Sequence, residues 1–419
     1  MHSPKEFLLK LFDRAVEVAD PMRSLGRALP PKPEGRVIVI GAGKASARMA
    51  EAVEAEWGPC EGLVITRYGY GRPCMGVEIV EASHPVPDEA GARATERMLH
   101  LLEGLGPDDF VLALISGGAS ALLVSPVEGV TLTEKKEVNA ALLASGAPID
   151  RMNTVRKHLS KVKGGQLAAA AYPARMYCLM ISDVPGDDPA FIGSGPTVGD
   201  RSTADDARAV LTKWNVTVPE SVARALSRPS RVIPPDDIRL STVTNVIYAA
   251  PAQSIAAAAD LASDCDVRLL GDALEGEARE VAVAQSELAQ SIAREMRPDS
   301  RPVLLLSGGE LTVTRRGNGI GGPNAEFCLA LALALDGHPR IHAIACDTDG
   351  VDGAAEVAGA VIGPDTLAKA KAKEMDAAEY LSRNDAHTFF GAIGQQVVPG
   401  PTLTNVNDFR ALLILPPQA

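Results

Sequence analysis

The chain has 419 residues, a formal net charge of −12, 46% hydrophobic residues and 22% charged ones. This profile excludes wholesale disorder, and the length suffices for two or three hydrophobic cores without covalent staples. The acidic balance excludes a nucleic-acid backbone as the main partner, since that surface demands a basic footprint; a small anionic substrate needs only a local cluster of donors.

The first twenty residues predict an amphipathic helix, with Phe7, Leu8, Leu11, Ala15 and Val18 at helical spacing. Charges through its middle do not suit a signal-peptide core, and no stretch reaches the roughly 18 uninterrupted apolar residues of a membrane span. Short apolar runs then alternate with helical stretches. Val37–Ile40, Gly62–Thr66, Val77–Ala82, Phe110–Ile115 and Met176–Ile181 read as buried strands, with helices at Ala45–Trp57, Glu89–Glu103 and Thr133–Ser145. Such alternation predicts βαβ units and a parallel sheet covered on both faces.

The Pro- and Asp-rich stretch from Arg228 to Asp237 reads as a linker. Beyond it come strands at Thr242–Ala249, Asp266–Leu270, Val303–Ser307, Leu311–Thr314, His342–Cys346, Ala358–Ile362 and Ala411–Leu415, with helices at Ala252–Ser263 and Ala278–Met296. The expectation is two α/β domains with mainly parallel, Rossmann-like sheets, residues 1–235 and 236–419, the last strand being free to join either sheet. Cysteines at 60, 74, 178, 265, 328 and 346 include no C-x-x-C pair, which points to a reducing cytoplasm rather than a disulfide framework or a zinc site.

Glycine marks the strand ends. Gly41-Ala42-Gly43-Lys44-Ala45-Ser46 follows a strand and opens a helix, so it is either an anion-binding turn with Lys44 at its tip or a plain helix start. It is not a dinucleotide fingerprint: Ser46 replaces the third Gly, and the second strand ends Thr66-Arg67 where an acidic residue belongs. It is not a Walker A loop either, because Ala45 follows the lysine. Ser116-Gly117-Gly118-Ala119-Ser120 repeats the logic as an uncharged cradle, and lacks the G-x-S-x-G pattern of a nucleophile elbow. From Asn153 to Gly165 stand Arg156, Lys157, Lys161 and Lys163, against the acidic trend of the chain. On a continuous helix Arg156 and Lys163 would share a face and clamp a carboxylate or phosphate; the alternative is a solvated basic face.

Asp183, Asp187 and Asp188 follow one apolar strand, and Asp347, Asp349 and Asp352 another. Carboxylates at strand ends suit Mg²⁺, which takes one or two of them plus substrate phosphates; Asx turns are the structural alternative. Ser307-Gly308-Gly309-Glu310 precedes a second Gly-rich stretch, 316–322, with Asn324 and Glu326 at the next helix start. That stretch reads as a mobile lid, a phosphate loop or a bare flexible hairpin tip.

Taken together, Gly41-Ala42-Gly43-Lys44-Ala45, Ser83-His84-Pro85, Ser116-Gly117-Gly118-Ala119-Ser120, Asn153 to Ser160, Ser182-Asp183-Val184 with Gly186-Asp187-Asp188, Ser194-Gly195-Pro196-Thr197, Ser307-Gly308-Gly309-Glu310 and Asp347-Thr348-Asp349-Gly350 resemble the glycerate 2-kinase family. The match runs in order over nearly the whole chain. The region from about residue 300 to 415 resembles that family's MOFRL domain. The resemblance implies ATP-dependent, Mg²⁺-assisted phosphorylation of D-glycerate to 2-phosphoglycerate, in an active site in a cleft between two α/β domains. Members have also been labelled hydroxypyruvate reductases, so NAD(P)H-dependent reduction is the alternative activity. Phosphoryl transfer asks for cations, N–H cradles and a metal more than for a nucleophile. The resulting expectations are Lys44, Arg156 and Asp183 as catalytic, Asp183 orienting the C2 hydroxyl; Ser116, Gly117, Gly118 and Lys163 at the substrate; Ser307, Gly308, Gly309, Glu310, Asn324 and Asn405 at the nucleotide; and Asp187, Asp347 and Asp349 at the metal. Partners are D-glycerate and ATP, with no nucleic acid and no membrane, and self-association is compatible.

Overall fold

The computed structural model describes residues 3–353 and 355–418. The chain forms two compact units, one from Pro21–Asp183 and Asp187–Tyr248, the other from Met1–Asp20, Val184–Gly186 and Ala249–Ala419.

In the first unit, strands β1 (Val37–Ala42), β2 (Glu61–Arg67), β3 (Val77–Ala82), β4 (Phe110–Ile115), β5 (Arg175–Ile181) and β6 (Val243–Ala249) lie in the order β3-β2-β1-β4-β5-β6. The pairings of β1 with β2 and β4, of β2 with β3 and of β4 with β5 are all parallel. Every residue of β1 and β4 is buried, because helices cover both faces. Beside the sheet, the helices Leu132–Ala144, Ile149–His158, Ala204–Lys213 and Glu220–Leu226 share a second apolar cluster that includes Val138, Leu142, Met152, Val155, Leu211 and Leu226. Met152, Val155 and Leu159 face that cluster at helical spacing, and this fixes the rotation of the helix that carries Arg156.

The second unit holds β7 (Asp266–Gly271), β8 (Val303–Ser307), β9 (Ile341–Asp347), β10 (Gly359–Ile362), β11 (Gln396–Val397) and β12 (Asp408–Ile414), in the order β11-β10-β9-β12-β8-β7. Here only β7 and β8 pair parallel; the other pairings are antiparallel. The α/β class holds for both units, but the expected parallel pairing holds for the first sheet and not for the second. Fully apolar strands had suggested parallel neighbours, yet antiparallel strands covered on both faces read the same way. Leu311–Thr314 is not a strand: Thr312 makes one isolated bridge to Glu277.

The boundary expected near 235 moves. Arg228–Asp237 is no linker, since Val232 and Ile233 are buried and the Ile233 N–H donates to the Gly164 carbonyl, within the first unit. Apart from Val184–Gly186, the chain stays in that unit as far as Tyr248. The N-terminal helix Pro4–Ala19 belongs to the second unit, where Leu8, Leu11, Phe12 and Ala15 join Ile344, Phe409 and Leu413 in one core. Phe12 and Phe409 lie with ring centroids 6.3 Å apart. Among the described residues, no helix is long and apolar enough to cross a membrane.

Candidate active site

In the first unit the loops after β1 and β4 meet at the point where strand order reverses, the usual ligand crevice of an open α/β sheet. Here the loops are tied to each other. The Lys44 N–H donates to the Gly117 carbonyl at 2.8 Å and the Ala45 N–H to the Ser116 hydroxyl at 3.0 Å. Gly43 and Ser46 N–H groups donate to Ile65 and Gly43 carbonyls. The first loop therefore offers no open backbone cradle, which corrects the anion-turn expectation; what it contributes is the Lys44 side chain. Ser116 is fully buried and also lies 3.2 Å from the Ser46 hydroxyl, so it braces the two loops rather than lining a cradle. The cradle moves to Gly117 and Gly118, whose N–H groups have no acceptor among the described residues. Gly118 has φ +83°, and a Cβ there would lie 3.1 Å from Lys44 Cγ and 3.2 Å from His84 Nε2. Lys44 and His84 thus flank Gly118.

The basic helix ends at His158, so Arg156 and Lys163 do not share a helical face as expected. A hydrogen-bonded chain joins them instead. Lys163 Nζ donates to the Ser120 carbonyl at 2.8 Å; the Ser120 and Ser194 hydroxyls are 2.8 Å apart; Ser194 donates to Asn153 Oδ1 at 3.2 Å; and Asn153 Oδ1 accepts from Arg156 at 3.4 Å. Lys135, also buried, donates to the Leu159 carbonyl at 2.7 Å. Lys157 pairs with Asp200 at 2.6 Å, but among the described residues Lys135, Arg156 and Lys163 have no carboxylate partner. Burial, reinforced by the charge of Arg156, lowers Lys135 to about 7, and burial beside Lys135, Arg156 and Lys157 holds Lys163 well below its ordinary range. Keeping Lys135 and Lys163 protonated without a counter-ion costs several kcal/mol, roughly, and an anion held beside them and half-buried Arg156 would offset that cost.

Two residues beyond β5 lies Asp183, half-buried. Asp187 takes left-handed backbone, φ 53°, and one of its carboxylate oxygens is buried without a hydrogen-bond partner.

In the second unit, strand pairing sets Asp408 opposite Asp347 and Arg410 opposite Ser307. Arg410 is fully buried: it bonds Asp408 at 3.1 Å and donates to the Gly308 and Gly309 carbonyls, fixing the Ser307-Gly308-Gly309 turn from below. Burial raises Asp408 to about 7, with the Arg410 charge opposing that shift. Glu310, next in the turn, is exposed. Asn324 is buried and its amide donates to Asp408 at 2.7 Å and to Asp352 at 3.3 Å, a bracing role. Asp352 also accepts the N–H groups of Asn324 and Ala325, the anionic cap of the helix Pro323–Leu335. Asp347 accepts the Asp349 N–H and buried Asp349 accepts the Val351 N–H, successive Asx turns. Thr348 accepts the Val406 N–H and donates to the Asn407 carbonyl, which holds buried Asn405 beside these aspartates.

The 316–322 stretch is not a mobile lid. Asn384 accepts the Arg316 and Gly317 N–H groups, and Asp385 accepts that of Ile320. A Cβ on Gly317 would fall 2.6 Å from Arg383 Cα, and one on Gly319 would fall 2.6 Å from Asp385 Cα. Glycine is there because backbone meets backbone. Among the described residues, no group of three or more His, Cys, Asp or Glu is placed to hold a metal ion.

Over residues 7–227 the chain matches the family described as "Domain of unknown function (DUF4147)", and over residues 303–408 the MOFRL family. It is 38% identical to the D-glycerate 2-kinase of Thermotoga maritima across 99% of both chains. The crystal structure of a glycerate kinase from the same organism superposes with a TM-score of 0.88, at 38% identity, over 98% of this chain and 99% of that one. The chain belongs to the glycerate 2-kinase family. An Agrobacterium vitis member, 50% identical over 98% of this chain and 95% of its own, carries the provisional name of hydroxypyruvate reductase.

Within this glycerate 2-kinase family chain, the expected Arg156 and Lys163 are brought into one network through Ser120, Ser194 and Asn153, while Lys135 lies apart on the Leu159 carbonyl and His84 beside Gly118. Ser83-His84-Pro85 and Ser194-Gly195 were visible as motifs. Lys135 had no such signal, because Glu134-Lys135-Lys136-Glu137 reads as a solvated helix face.

Proposed function

We propose that this chain transfers the γ-phosphoryl group of ATP to the C2 hydroxyl of D-glycerate, giving 2-phosphoglycerate and ADP. The observation that carries the reading is the gathering of Lys135, Arg156 and Lys163 without a carboxylate partner among the described residues, with Lys163 and Arg156 joined through Ser120, Ser194 and Asn153 next to the Gly117-Gly118 turn. Phosphoryl transfer is mostly positioning and charge neutralisation, and fixed cations in a dry site supply both. Arg156 and Lys44 hold the glycerate carboxylate and the transferring group, Gly117 and Gly118 N–H groups receive anionic oxygen, and Lys163 sets the potential from behind. Asp183 orients the C2 hydroxyl. In the second unit the Ser307-Gly308-Gly309 turn, with Glu310 and Asn405, serves the nucleotide.

The oxygen of Asp187 that is buried without a partner among the described residues suits Mg²⁺, and Asp347 is the separate candidate donor of the second unit; a nucleotide-borne Mg²⁺ needs only one or two protein carboxylates. When bound, the cation neutralises and bridges phosphate oxygens. Asp349 is committed to its own turn. Six free cysteines suit a reducing cytoplasm.

The strand order would also suit a nicotinamide cofactor. A bound pyrophosphate, however, would need the backbone donors of the first loop, and those of Gly43 to Ser46 are already spent. Thr66, where a ribose-binding acid would stand, is buried and bonds the Lys44 carbonyl. Phosphorus NMR of the product formed from D-glycerate tests the finer claim: the account predicts 2-phosphoglycerate, and 3-phosphoglycerate as the product would overturn the assignment of the C2 hydroxyl to this site.

A further inference from the structure

The stretch 228–237, which reads as a linker, forms one wall of a cavity of about 1250 Å³ in the first unit. No side chain assigned to the active site lines it. A second wall is the segment 200–205, and Lys161 and Gln166 also line the cavity.

The walls are pinned. Asp200 N–H donates to the Ile233 carbonyl, and His158 bridges them, 3.1 Å from the Ser202 hydroxyl and 2.9 Å from that of Ser230. The cavity is therefore a built feature and not a gap beside a loose loop.

Its charge is opposite to that of the chain. Lys161, Arg201, Arg228 and Arg231 line it and, among the described residues, make no side-chain hydrogen bond or ion pair. Arg208 and Arg239 also line it, but are spent on Asp205 and Asp237. Of the lining carboxylates, Asp200 is held by Lys157 and by the Ser202 N–H, and Asp205 by Arg208, leaving Asp236 as the one without a partner among the described residues. Among the described residues, four lining cations without a partner against one such carboxylate, in a chain of net charge −12, amount to a local reversal of the field. At the start of the helix Ala204–Lys213 the capping box occupies the N–H groups of Thr203 and Asp206.

We infer that this cavity binds a small organic polyphosphate, with arginines from both walls on the phosphates and the apolar surface of Leu99, Ala169, Val232 and Pro234 against its organic part. Arginine suits this because its planar fork grips phosphate oxygens in pairs. The volume is ample for a molecule of nucleotide size.

Titration calorimetry with inorganic tripolyphosphate, at physiological ionic strength, tests the site on the full chain. The expected result is binding that survives in Lys44→Ala and weakens at least tenfold in Arg228→Ala/Arg231→Ala. Arg201→Ala, on the second wall, should weaken it independently, and all three cavity substitutions should leave turnover of glycerate without the polyphosphate unchanged. No binding to the wild-type chain, unchanged binding in the cavity variants, or binding lost in Lys44→Ala would overturn the inference. Binding is read without catalysis, so its outcome stands apart from that of the kinase reading.

Discussion

Lys135 shows how much a single buried charge can report. Its ammonium has one carbonyl acceptor and Arg156 as a charged neighbour, and it titrates near 7 in the folded chain against an ordinary 10.5. Between those values the unfolded chain binds more protons than the folded one, so the stability set by this residue rises with pH from 7 to about 10.5. Below 7 the folded chain bears the full cost of the buried charge, a few kcal/mol in order of magnitude. Lys135→Met keeps the length and removes the charge. Its stability relative to wild type, from denaturant unfolding, should be most favourable at or below pH 7 and should decline steadily up to pH 10; a difference that stays constant with pH would refute the lowered titration. Sequence could not single out Lys135, because a lysine in a helix is ordinarily solvated and its burial depends on Leu159, 24 positions later. Arg156 and Lys163 were legible as a basic run, though their geometry was not.

At the level of elements, the tie between the β1 and β4 loops depends on glycine at 43. Its φ is +144°, and a Cβ there would overlap the Ser116 hydroxyl and lie 2.7 Å from the Ser116 carbonyl oxygen. Gly43→Ala should cost about 2–4 kcal/mol through strained backbone and overpacking. Gly58 gives the comparison: φ is +75° with nothing within 4 Å of a Cβ, so Gly58→Ala should cost only about 1 kcal/mol. Equal losses in chemical denaturation would contradict the steric account. The strands of the first sheet were legible because doubly covered strands are apolar throughout. Composition misled at 316–322, where four glycines suggested mobility. Their purpose is contact with 383–385 and Asp352, and nothing local in the sequence names that partner.

Across the whole molecule, class and strand positions could be read, but ownership could not. An apolar stripe such as Leu8, Leu11 and Phe12 demands a sheet to cover without specifying which, and it covers the second. The central β12 likewise lies between β9 and β8, antiparallel to both, so the chain's last strand completes the second sheet and carries Asp408 and Arg410 beneath the Ser307 turn. Each unit presents its glycine turns and aspartates at strand ends, which is the division of labour a two-substrate phosphotransferase needs. Against the net charge of −12, the first unit gathers Lys44, Lys135, Arg156 and Lys163 around the candidate site, as the proposed handling of anions requires. The central claim is tested most directly by measuring ADP release from ATP and Mg²⁺ with D-glycerate, alongside NAD(P)H oxidation with hydroxypyruvate, on one preparation. The account predicts ADP in step with glycerate consumed and no nicotinamide oxidation; nicotinamide oxidation with no glycerate-dependent ADP would contradict it.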